Sequence, residues 1–297
     1  MASIGVVAAL ALTGCSSAVD SESPAEAAPL GAIDEAAAAA LPADIKAAGI
    51  IKAASDIPYP PMEMFDENQN VIGFDHDLAQ AIGAKLGVKF ELQKQSFAAA
   101  IPSLQAGKHD VIMSGMNDTK ERQQTLDFVD YFHAGFTILV VKGNPEGIGG
   151  VLDLCGKIVA VPSATVQADI LRGYDEACIA SGAGVVDVME LPGETDVQTA
   201  VRSGRAVAEV VDSAVAAYTA QTAGDGEMFD VVTDPDNPSG YSPVYSGIGI
   251  LKEKSELSNA ILLAFQAVIA DGSYAEILSE YKLSDYGLDE AGFNLGS

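Results

Sequence analysis

HDVIMSGMNDTKERQQTLDF (residues 109–128) combines a short apolar run, a glycine-containing loop and an arginine. The run HDVIM predicts a buried strand, and the residues from Thr119 onward predict a helix with Arg122 in its first turn. A strand, a loop and a helix in this order form the repeating unit of a parallel α/β sheet. A cation is unfavourable at a helix N-terminus, which is itself partly positive. Arg122 is therefore better explained by an anion that it binds than by helix stability.

The rest of the chain repeats this order of strands and helices. Apolar or alternating runs predict further strands at residues 50–55, 88–93, 157–161, 184–191, 206–211 and 246–252. Helical patterns lie between them, as in HDLAQAIGAKL, where Leu78, Ile82 and Leu86 share one face. The sequence thus predicts an α/β fold of mainly parallel sheets with helices on both faces.

Four of the predicted strands end in polar or small residues. One ends at Asp56, with Tyr59 just beyond it, and the others lead into residues 114–117, residues 162–165 and Asp212. Ligands of open α/β sheets bind outside the carboxyl ends of the strands. These four strand ends are therefore the candidate binding site.

Arg122 and Asp212 would supply this site with both charges. The planar guanidinium of Arg122 suits a carboxylate, backbone N–H groups near Thr165 add donors for an anion, and Asp212 suits an ammonium group. Together they predict a site for an amino-acid zwitterion. Each residue also has a structural explanation: Arg122 could pair with Asp118 or Glu121, and Asp212 could cap a helix.

GFDHDLAQAIGAKLGV (residues 73–88) resembles the signature of the polar amino-acid-binding proteins that serve ABC importers. The likeness continues through SDIPYPPMEM (residues 55–64), residues 97–135 and VVDSAVAAY (residues 210–218), and it covers most of residues 41–283. This family of bacterial extracellular solute-binding proteins includes the lysine/arginine/ornithine-, histidine- and glutamine-binding proteins. The resemblance implies a two-lobed periplasmic-binding-protein fold of type II, with a mainly parallel sheet flanked by helices in each lobe and the ligand in the cleft between them.

The resemblance also implies roles for individual residues. Arg122 would bind the α-carboxylate of the ligand, and Asp212 would bind its α-ammonium group. Tyr59 and Phe97 would enclose the stem of the ligand, and Asp56 would line its side-chain end.

Further residues would assist these. Asn117, which stands where Ser or Thr is usual, would help Arg122 together with the backbone of residues 164–166, and the Gly115 carbonyl would help Asp212. The full set of expected ligand-binding residues is Asp56, Tyr59, Phe97, Ser114, Gly115, Asn117, Arg122, Ala164, Thr165, Val166 and Asp212.

The same resemblance divides the chain into two lobes. Residues 42–134 and 246–297 would form lobe 1, and residues 138–240 would form lobe 2. The hinges would lie near residues 134–137 and 241–247, so that closure around the ligand is a hinge motion.

The N-terminus has features of an exported lipoprotein. The apolar run in IGVVAALALTGC (residues 4–15) is shorter than the ~20 residues of a membrane span and fits a secretory signal over residues 1–14. LTGC resembles a lipobox with Cys15 as the lipidated residue, and residues 15–41 have the composition of a flexible tether. No Lys or Arg precedes Ile4, which is unusual for a signal, and the run could instead be an apolar strand.

Cys155 and Cys178 fit a disulfide in the oxidising compartment that export implies, and the alternative is two buried thiols. No spacing of cysteines and histidines indicates a metal site. His76, His109 and His133 are interpreted as structural, and neither a metal nor a cofactor is expected.

The charge of the chain restricts its partners. With 42 acidic and 16 basic residues, a net charge of −26, it is unsuited to nucleic acid or to an anionic membrane surface. The expected partners are a free amino acid and the membrane permease of an ABC importer, and the lipid anchor would be the sole membrane contact. We expect a monomer outside the cytoplasm, on the outer face of the membrane or in the periplasm. The acidic surface slightly favours a cationic ligand, and a neutral polar one is nearly as plausible.

Two other functions stay open at this point. A small-carboxylate dehydratase on the same scaffold would need an acid or base in the cleft, for which Glu63 and Glu194 are candidates. A ligand sensor is the other alternative. The sequence favours a binder that is not an enzyme, because no feature assigns catalysis to these carboxyls.

Overall fold

The computed structural model describes Met1, residues 32–235 and residues 240–296. The predicted signal segment beyond Met1, Cys15 and residues 15–31 of the predicted tether lie outside the described residues. The helices are α1 Glu35–Ala40, α2 Ala43–Ala48, α3 Phe74–Leu86, α4 Ala100–Gln105, α5 Gln167–Arg172, α6 Asp175–Ser181, α7 Glu194–Arg202, α8 Ser213–Thr222, α9 Ser255–Ala270 and α10 Ser273–Glu280. The strands are β1 Ile50–Ser55, β2 Met64–Phe65, β3 Val71–Ile72, β4 Lys89–Lys94, β5 Val111–Ile112, β6 Leu126–Val141, β7 Ile158–Pro162, β8 Asp187–Leu191, β9 Ala208–Asp212, β10 Phe229–Val231, β11 Tyr241–Leu251 and β12 Gly292–Phe293.

One sheet runs through both halves of the protein in the order β4-β1-β5-β11-β6-β9-β7-β8, while β10 and β12 also pair with β6. Pairing is parallel among β4, β1 and β5 and among β8, β7 and β9. We call the part built on β1, β4 and β5 lobe 1 and the part built on β7, β8 and β9 lobe 2. The predicted two-lobed α/β fold is confirmed.

The long strands β6 and β11 connect the two lobes. Residues of β6 up to Phe136 pair with β11, and residues from Phe136 to Val140 pair with β9. Both contacts are antiparallel, so the parallel character that the sequence predicts holds within each lobe and not at the connection.

Helix α3 illustrates how local sequence builds lobe 1. Leu78 and Ile82 are fully buried on its inner face, as their spacing predicts. Gly87 ends the helix in a left-handed conformation (φ 70°) that a glycine adopts without strain. Phe74, the first helical residue, packs against the rings of Tyr131 and Phe132 at centroid distances of 5.9 and 5.7 Å. The helix thereby packs against β6.

Lobe 2 contains the predicted disulfide. Cys155, which follows a 3-10 turn, is bonded to Cys178 of α6. The disulfide packs in a cluster with Leu154, Leu171 and Val186, and it lies wholly within this lobe.

The C-terminal part of the predicted tether is helical instead. Residues Glu35–Ala40 form α1, which packs against α9, and Ala37 is fully buried. The Asp34 carboxylate accepts a hydrogen bond from the Ala37 N–H (2.8 Å) and caps the helix. The expectation that the tether reaches residue 41 is wrong for these residues, because alanines favour helix and their small side chains allow close packing.

The helix predicted after Thr119 is also wrong. Arg122–Gln124 form a single 3-10 turn, and β6 begins at Leu126. Aromatic and β-branched residues dominate the sequence that follows, and their preference for a sheet outweighs the helical pattern.

The last described residues are tied to β6 and to the loop after β5. The Leu295 N–H donates to Asp130 Oδ2 (2.9 Å), and the Gly296 N–H donates to Asp118 Oδ2 (2.7 Å). Both carboxyl groups are fully buried. The C-terminal residues therefore help to hold the loop that carries Arg122.

Among the described residues, no single helix is both long and apolar enough to cross a bilayer. One pair, Lys252–Ala270 with Ser273–Glu280, has the length and composition together, but the two parts meet at 78°.

Candidate functional site

The carboxyl ends of β1, β5, β7 and β9 meet around one small cavity between the lobes. Of its lining residues, those predicted from the sequence are Asp56, Tyr59, Phe97, Ser114, Gly115, Asn117, Thr165 and Asp212.

Arg122 lies beside this cavity. Its guanidinium donates hydrogen bonds to the Asn117 carbonyl (2.8 Å) and to the Ala164 carbonyl (3.1 Å), which belong to different lobes. The guanidinium also lies over the ring of Phe97, with its central carbon 5.3 Å from the ring centroid. Arg122 can thus bridge the cleft.

The structural explanation for Arg122 is not supported. No carboxylate of the described residues forms an ion pair with it, and Asp118 instead accepts from Gln123 (2.8 Å). Burial lowers the pKa of Arg122 to about 10, so the side chain is still charged at neutral pH. A partly buried cation whose side-chain hydrogen bonds go only to carbonyl groups is suited to an anionic ligand.

Asp212 lies at the end of β9 and faces lobe 1. Its carboxylate accepts a hydrogen bond from the Tyr59 hydroxyl (2.6 Å) and a long one from the Asn117 amide (3.4 Å). Burial raises the pKa of Asp212, while the hydrogen bonds from Tyr59 and Asn117 lower it. Its side chain does not cap α8, so the helix-cap explanation is not supported either.

A hydrogen-bonded network beneath the cavity fixes the loop after β5. The Asp56 N–H donates to the Ser114 hydroxyl (2.9 Å), which donates to Glu63 Oε1 (2.6 Å). The Gly115 N–H donates to Asp75 Oδ2 (2.9 Å). Gly115 has φ 53°, and a side chain there would meet the ring of Tyr59 at 3.2 Å, so glycine is required.

Glu63 and Asp75 form a fully buried carboxyl pair in this network. Burial raises the pKa of Asp75 to about 6, although Gly115 and Tyr131 donate hydrogen bonds to it. Burial next to Asp75 raises the pKa of Glu63 well above its usual value. Glu63 therefore lies behind the cavity wall and supports the loop from below.

The 234 residues 51–284 match the family model of the bacterial extracellular solute-binding proteins, family 3. The chain belongs to this family. The arginine-binding protein ArgT of Corynebacterium glutamicum is 32% identical over 257 residues, which are 86% of this chain and 82% of that protein. The histidine-binding periplasmic protein of Salmonella typhimurium is 29% identical over 78% of this chain and 86% of its own.

A solved structure gives the same fold. An ancestral amino acid-binding protein, a precursor of cyclohexadienyl dehydratase, superposes with a TM-score of 0.68 and 32% identity over 80% of this chain and 97% of its own. The resemblance to polar amino-acid-binding proteins and the type II fold are thereby confirmed.

Three expected binding residues of this family 3 protein do not line the cavity. Arg122 and Ala164 lie next to it and contact each other. Val166 packs on the core of lobe 2 instead. Ala164 is in a left-handed conformation (φ 64°), which turns its carbonyl toward Arg122.

Four other residues line the cavity without having been placed in the expected set: Pro58, Pro162, Gln167 and Glu194. Pro162 ends β7 and Pro58 follows β1, so both could have been inferred from the strand ends. Gln167 begins α5, and its Oε1 has no hydrogen-bond partner among the described residues. Glu194 begins α7, and the sequence indicates it only as a candidate acid.

No group of three or more His, Cys, Asp or Glu residues that could hold a metal occurs in the part of the chain that the structure describes. His109 contacts Ser103 through Nδ1 (2.8 Å), His76 contacts Asp77 (2.8 Å), and the ring of His133 lies 4.3 Å from that of Tyr245. All three histidines therefore contact neighbours outside the cavity lining.

Proposed function

We propose that this family 3 protein captures a free polar amino acid outside the cytoplasm and delivers it to the membrane permease of an ABC importer. The observation that carries the proposal is the position of Asn117 between Arg122 and Asp212. Its carbonyl accepts from the guanidinium, and its amide donates to the carboxylate. A cation and an anion so close together are complementary to the α-carboxylate and α-ammonium groups of an amino acid.

The remaining roles follow from this arrangement. Tyr59 and Phe97 enclose the stem of the ligand, since both rings line the cavity and contact Asp212 and Arg122 respectively. Thr165 and Ser114 contribute polar atoms to the wall. Asp56 lies at the end where the ligand side chain would be.

We infer that closure bends β6 and β11. The proposed lobe 1 comprises residues 42–134 and 246–297 together with α1, and the proposed lobe 2 comprises residues 138–240. The pairing of β11 with β6 shifts register between Tyr241 and Val244 and again between Ser246 and Gly247. Irregular pairing accommodates bending, which supports hinges near residues 134–137 and 241–247.

We further propose that Cys15 is the lipid attachment site and that residues 15–31 tether a monomer to the membrane. Family membership supports an extracellular location. The permease would contact the closed lobes, and the lipid would be the membrane contact of the chain.

A dehydratase-like enzyme is the second candidate, because the buried carboxyl of Glu194 lines the cavity and a structural neighbour is a precursor of such an enzyme. We favour binding without turnover, because the curated relatives with the highest similarity here are binding proteins. Recovery of the bound ligand after denaturation separates the two: a binder returns it unchanged.

The test is thermal unfolding of the protein from Ser16 onward with each of the twenty amino acids. A ligand at 100 times its dissociation constant adds ~2.7 kcal/mol to stability. We expect a clear shift with a few amino acids and none for Arg122→Ala. Arg122→Lys, the matched control, keeps the charge without the planar fork and should bind weakly. Normal affinity in Arg122→Ala, or no shift with any amino acid, would overturn the proposal.

A further inference from the structure

A second carboxyl pair lies in the lobe 2 wall of the cavity. Glu194, at the start of α7, is 5% exposed and lines the cavity. Glu209 of β9 is fully buried behind it. Their carboxyl groups lie within hydrogen-bonding reach of each other. Two buried carboxylates in contact repel strongly, so the pair holds a shared proton when no cation is near.

The described residues around the pair supply fewer hydrogen-bond donors than the two carboxyl groups have oxygens. Glu194 Oε1 accepts from the Gln198 amide (2.9 Å). Glu194 Oε2 and both oxygens of Glu209 have no partner among the described residues. One shared proton joins two of these three oxygens and leaves at least one buried acceptor without a donor. A buried acceptor in that state costs free energy until a donor reaches it.

The groups around the pair include no cation. Tyr59 and Asp212 face Glu194 from lobe 1 and from the end of β9. Gln198 of α7 donates to Glu194 and also contacts Thr219 of α8 (3.3 Å). No Lys, Arg or His of the described residues forms an ion pair with either glutamate. Burial raises the pKa of Glu194 and, together with the charge of Glu194, raises that of Glu209 well above its usual value.

Two further features of the cavity indicate a ligand with donors. Gln167 is 2% exposed and lines the cavity, yet its Oε1 has no partner in the described part of the chain. The carboxylate of Asp56, from lobe 1, lies 3.8 Å from the position of a side chain at Gly193, next to Glu194. Asp56 and Glu194 therefore present acceptors from both lobes at one end of the cavity, and Gln167 adds a further acceptor to its lining.

We propose that Glu194 selects a ligand whose side chain is a cation with several N–H donors, such as a guanidinium or an ammonium, and that the Glu194–Glu209 pair gives up its shared proton when that cation binds. The step is an exchange: the proton passes from the pair to solvent, and the positive charge of the ligand takes its place. This inference rests on the proposed amino-acid site and concerns only the end that holds the ligand side chain. Asp56 and Gln167 would complete the set of acceptors.

The test compares arginine and glutamine, a cationic and a neutral probe, by calorimetry at pH 7. Each titration is repeated in two buffers of different ionisation enthalpy, which reveals proton release. We expect the protein to bind arginine at least ten times more tightly than glutamine and to release protons with arginine only. In Glu194→Gln, the ratio of arginine affinity to glutamine affinity should fall at least tenfold, while the affinity for glutamine changes less than threefold.

Glu209→Gln is the matched control. It removes the shared proton but leaves an amide donor to Glu194, so it should still prefer arginine and release no proton. Both substitutions keep the size of the side chain, and thermal unfolding verifies that each variant folds. If Glu209→Gln does not fold, Glu194→Gln alone must also abolish proton release.

The outcomes separate this inference from the proposed function. If no amino acid binds, the proposed function itself fails. If amino acids bind but Glu194→Gln weakens arginine and glutamine equally, Glu194 does not select the side chain. If arginine binding to the unaltered protein releases no proton, the exchange does not occur.

Discussion

Each lobe buries a pair of carboxyl groups beside the cleft, and the two pairs differ in their hydrogen-bond donors. In lobe 1, Glu63 accepts from Ser114, and Asp75 accepts from Gly115 and Tyr131. One oxygen of each carboxyl stays without a partner among the described residues, and one shared proton can join these two. In lobe 2, three of the four oxygens have no partner in that part of the chain.

This difference separates a carboxyl pair that holds structure from one available to a ligand. Removal of charge from the lobe 1 pair should weaken the fold, because the donors it now satisfies are buried. Removal of charge from the lobe 2 pair should leave the fold intact and change only what binds. The predictions below test this contrast between the lobes.

The largest effect is expected from the disulfide of lobe 2, which has no counterpart among the described residues of lobe 1. Replacing Cys155 and Cys178 with Ala should lower the free energy of unfolding by about 3 kcal/mol, because the unfolded chain loses a constraint. Hydrogen exchange should speed up more in β7 and α6 than in β1 and α3. Reduction of the unaltered protein serves as the control, and equal acceleration in both lobes would contradict the prediction.

The next effect is a pH dependence that originates in lobe 1. Burial raises the pKa of Asp130 and Asp118 adds to this effect, so the pKa lies at about 7 although the hydrogen bond from the Leu295 N–H lowers it. Because this pKa lies above the value in the unfolded chain, the folded protein binds the proton more tightly. The stabilising effect is therefore complete below pH ~4 and is lost as the pH rises through about 7.

Between pH 5 and pH 8, Asp130 should reduce the free energy of unfolding by about 2–3 kcal/mol. Denaturation curves at several pH values measure the slope of the free energy of unfolding against pH. Asp130→Asn stays neutral and can still accept from Leu295, so its slope should be flatter. An unchanged slope in this variant would show that Asp130 is not the group responsible.

A smaller effect compares the two carboxyl pairs directly. Asp75→Asn should lower the free energy of unfolding by about 2 kcal/mol, since hydrogen bonds to a charged acceptor are stronger than those to a neutral one. Glu209→Gln should change it by less than about 1 kcal/mol in either direction, because removing one of two unpaired buried carboxyls relieves desolvation. Urea denaturation of both variants tests this contrast. Equal losses of unfolding free energy in the two variants would contradict the prediction.

The smallest effect concerns the N-terminal addition to lobe 1. Asp34→Ala removes the cap of α1 and should cost about 1 kcal/mol. Asp34→Asn retains a capping oxygen and should cost little. Proteolysis near α1 would report the same ranking, and a loss in Asp34→Asn as large as in Asp34→Ala would show that the hydrogen bond to Ala37 is unimportant.

Much of the fold could be predicted because its signals are local. The strand at residues 50–55 and the buried face of α3 follow from the spacing of apolar residues in the sequence alone. The strand ends at Asp56, Asn117 and Asp212 could be brought together by topology, without any side-chain coordinates. For the same reason, the cavity contains most of the residues expected there.

The failures concern features that depend on distant parts of the chain. Strand β6 is buried along nearly all of its length, so it shows no alternation, and its partners β9 and β11 are remote in sequence. The tether expectation failed at Glu35–Ala40 because a run of alanines becomes an ordered helix only when α9 provides a surface for it.

Glu194 shows why the site could not be completed from the sequence. Its role depends on Glu209 behind it and on Asp56 across the cleft, and neither lies near it in the chain. A single acid after a glycine is typical of a solvated helix start, whereas the structure buries it against a second acid.

The order of strands in the sheet also determines how the chain can fold during its synthesis. Strand β11 lies between β5 and β6 in the sheet, although about a hundred residues of sequence lie between the end of β6 at Val141 and the start of β11 at Tyr241. Lobe 2 can therefore pair its strands while the ribosome is still translating, whereas lobe 1 has a gap in its sheet until Leu251 has emerged. Until then, β5 and β6 expose unpaired edges that can capture other strands, so lobe 1 stays open to wrong strand pairing for longer than lobe 2.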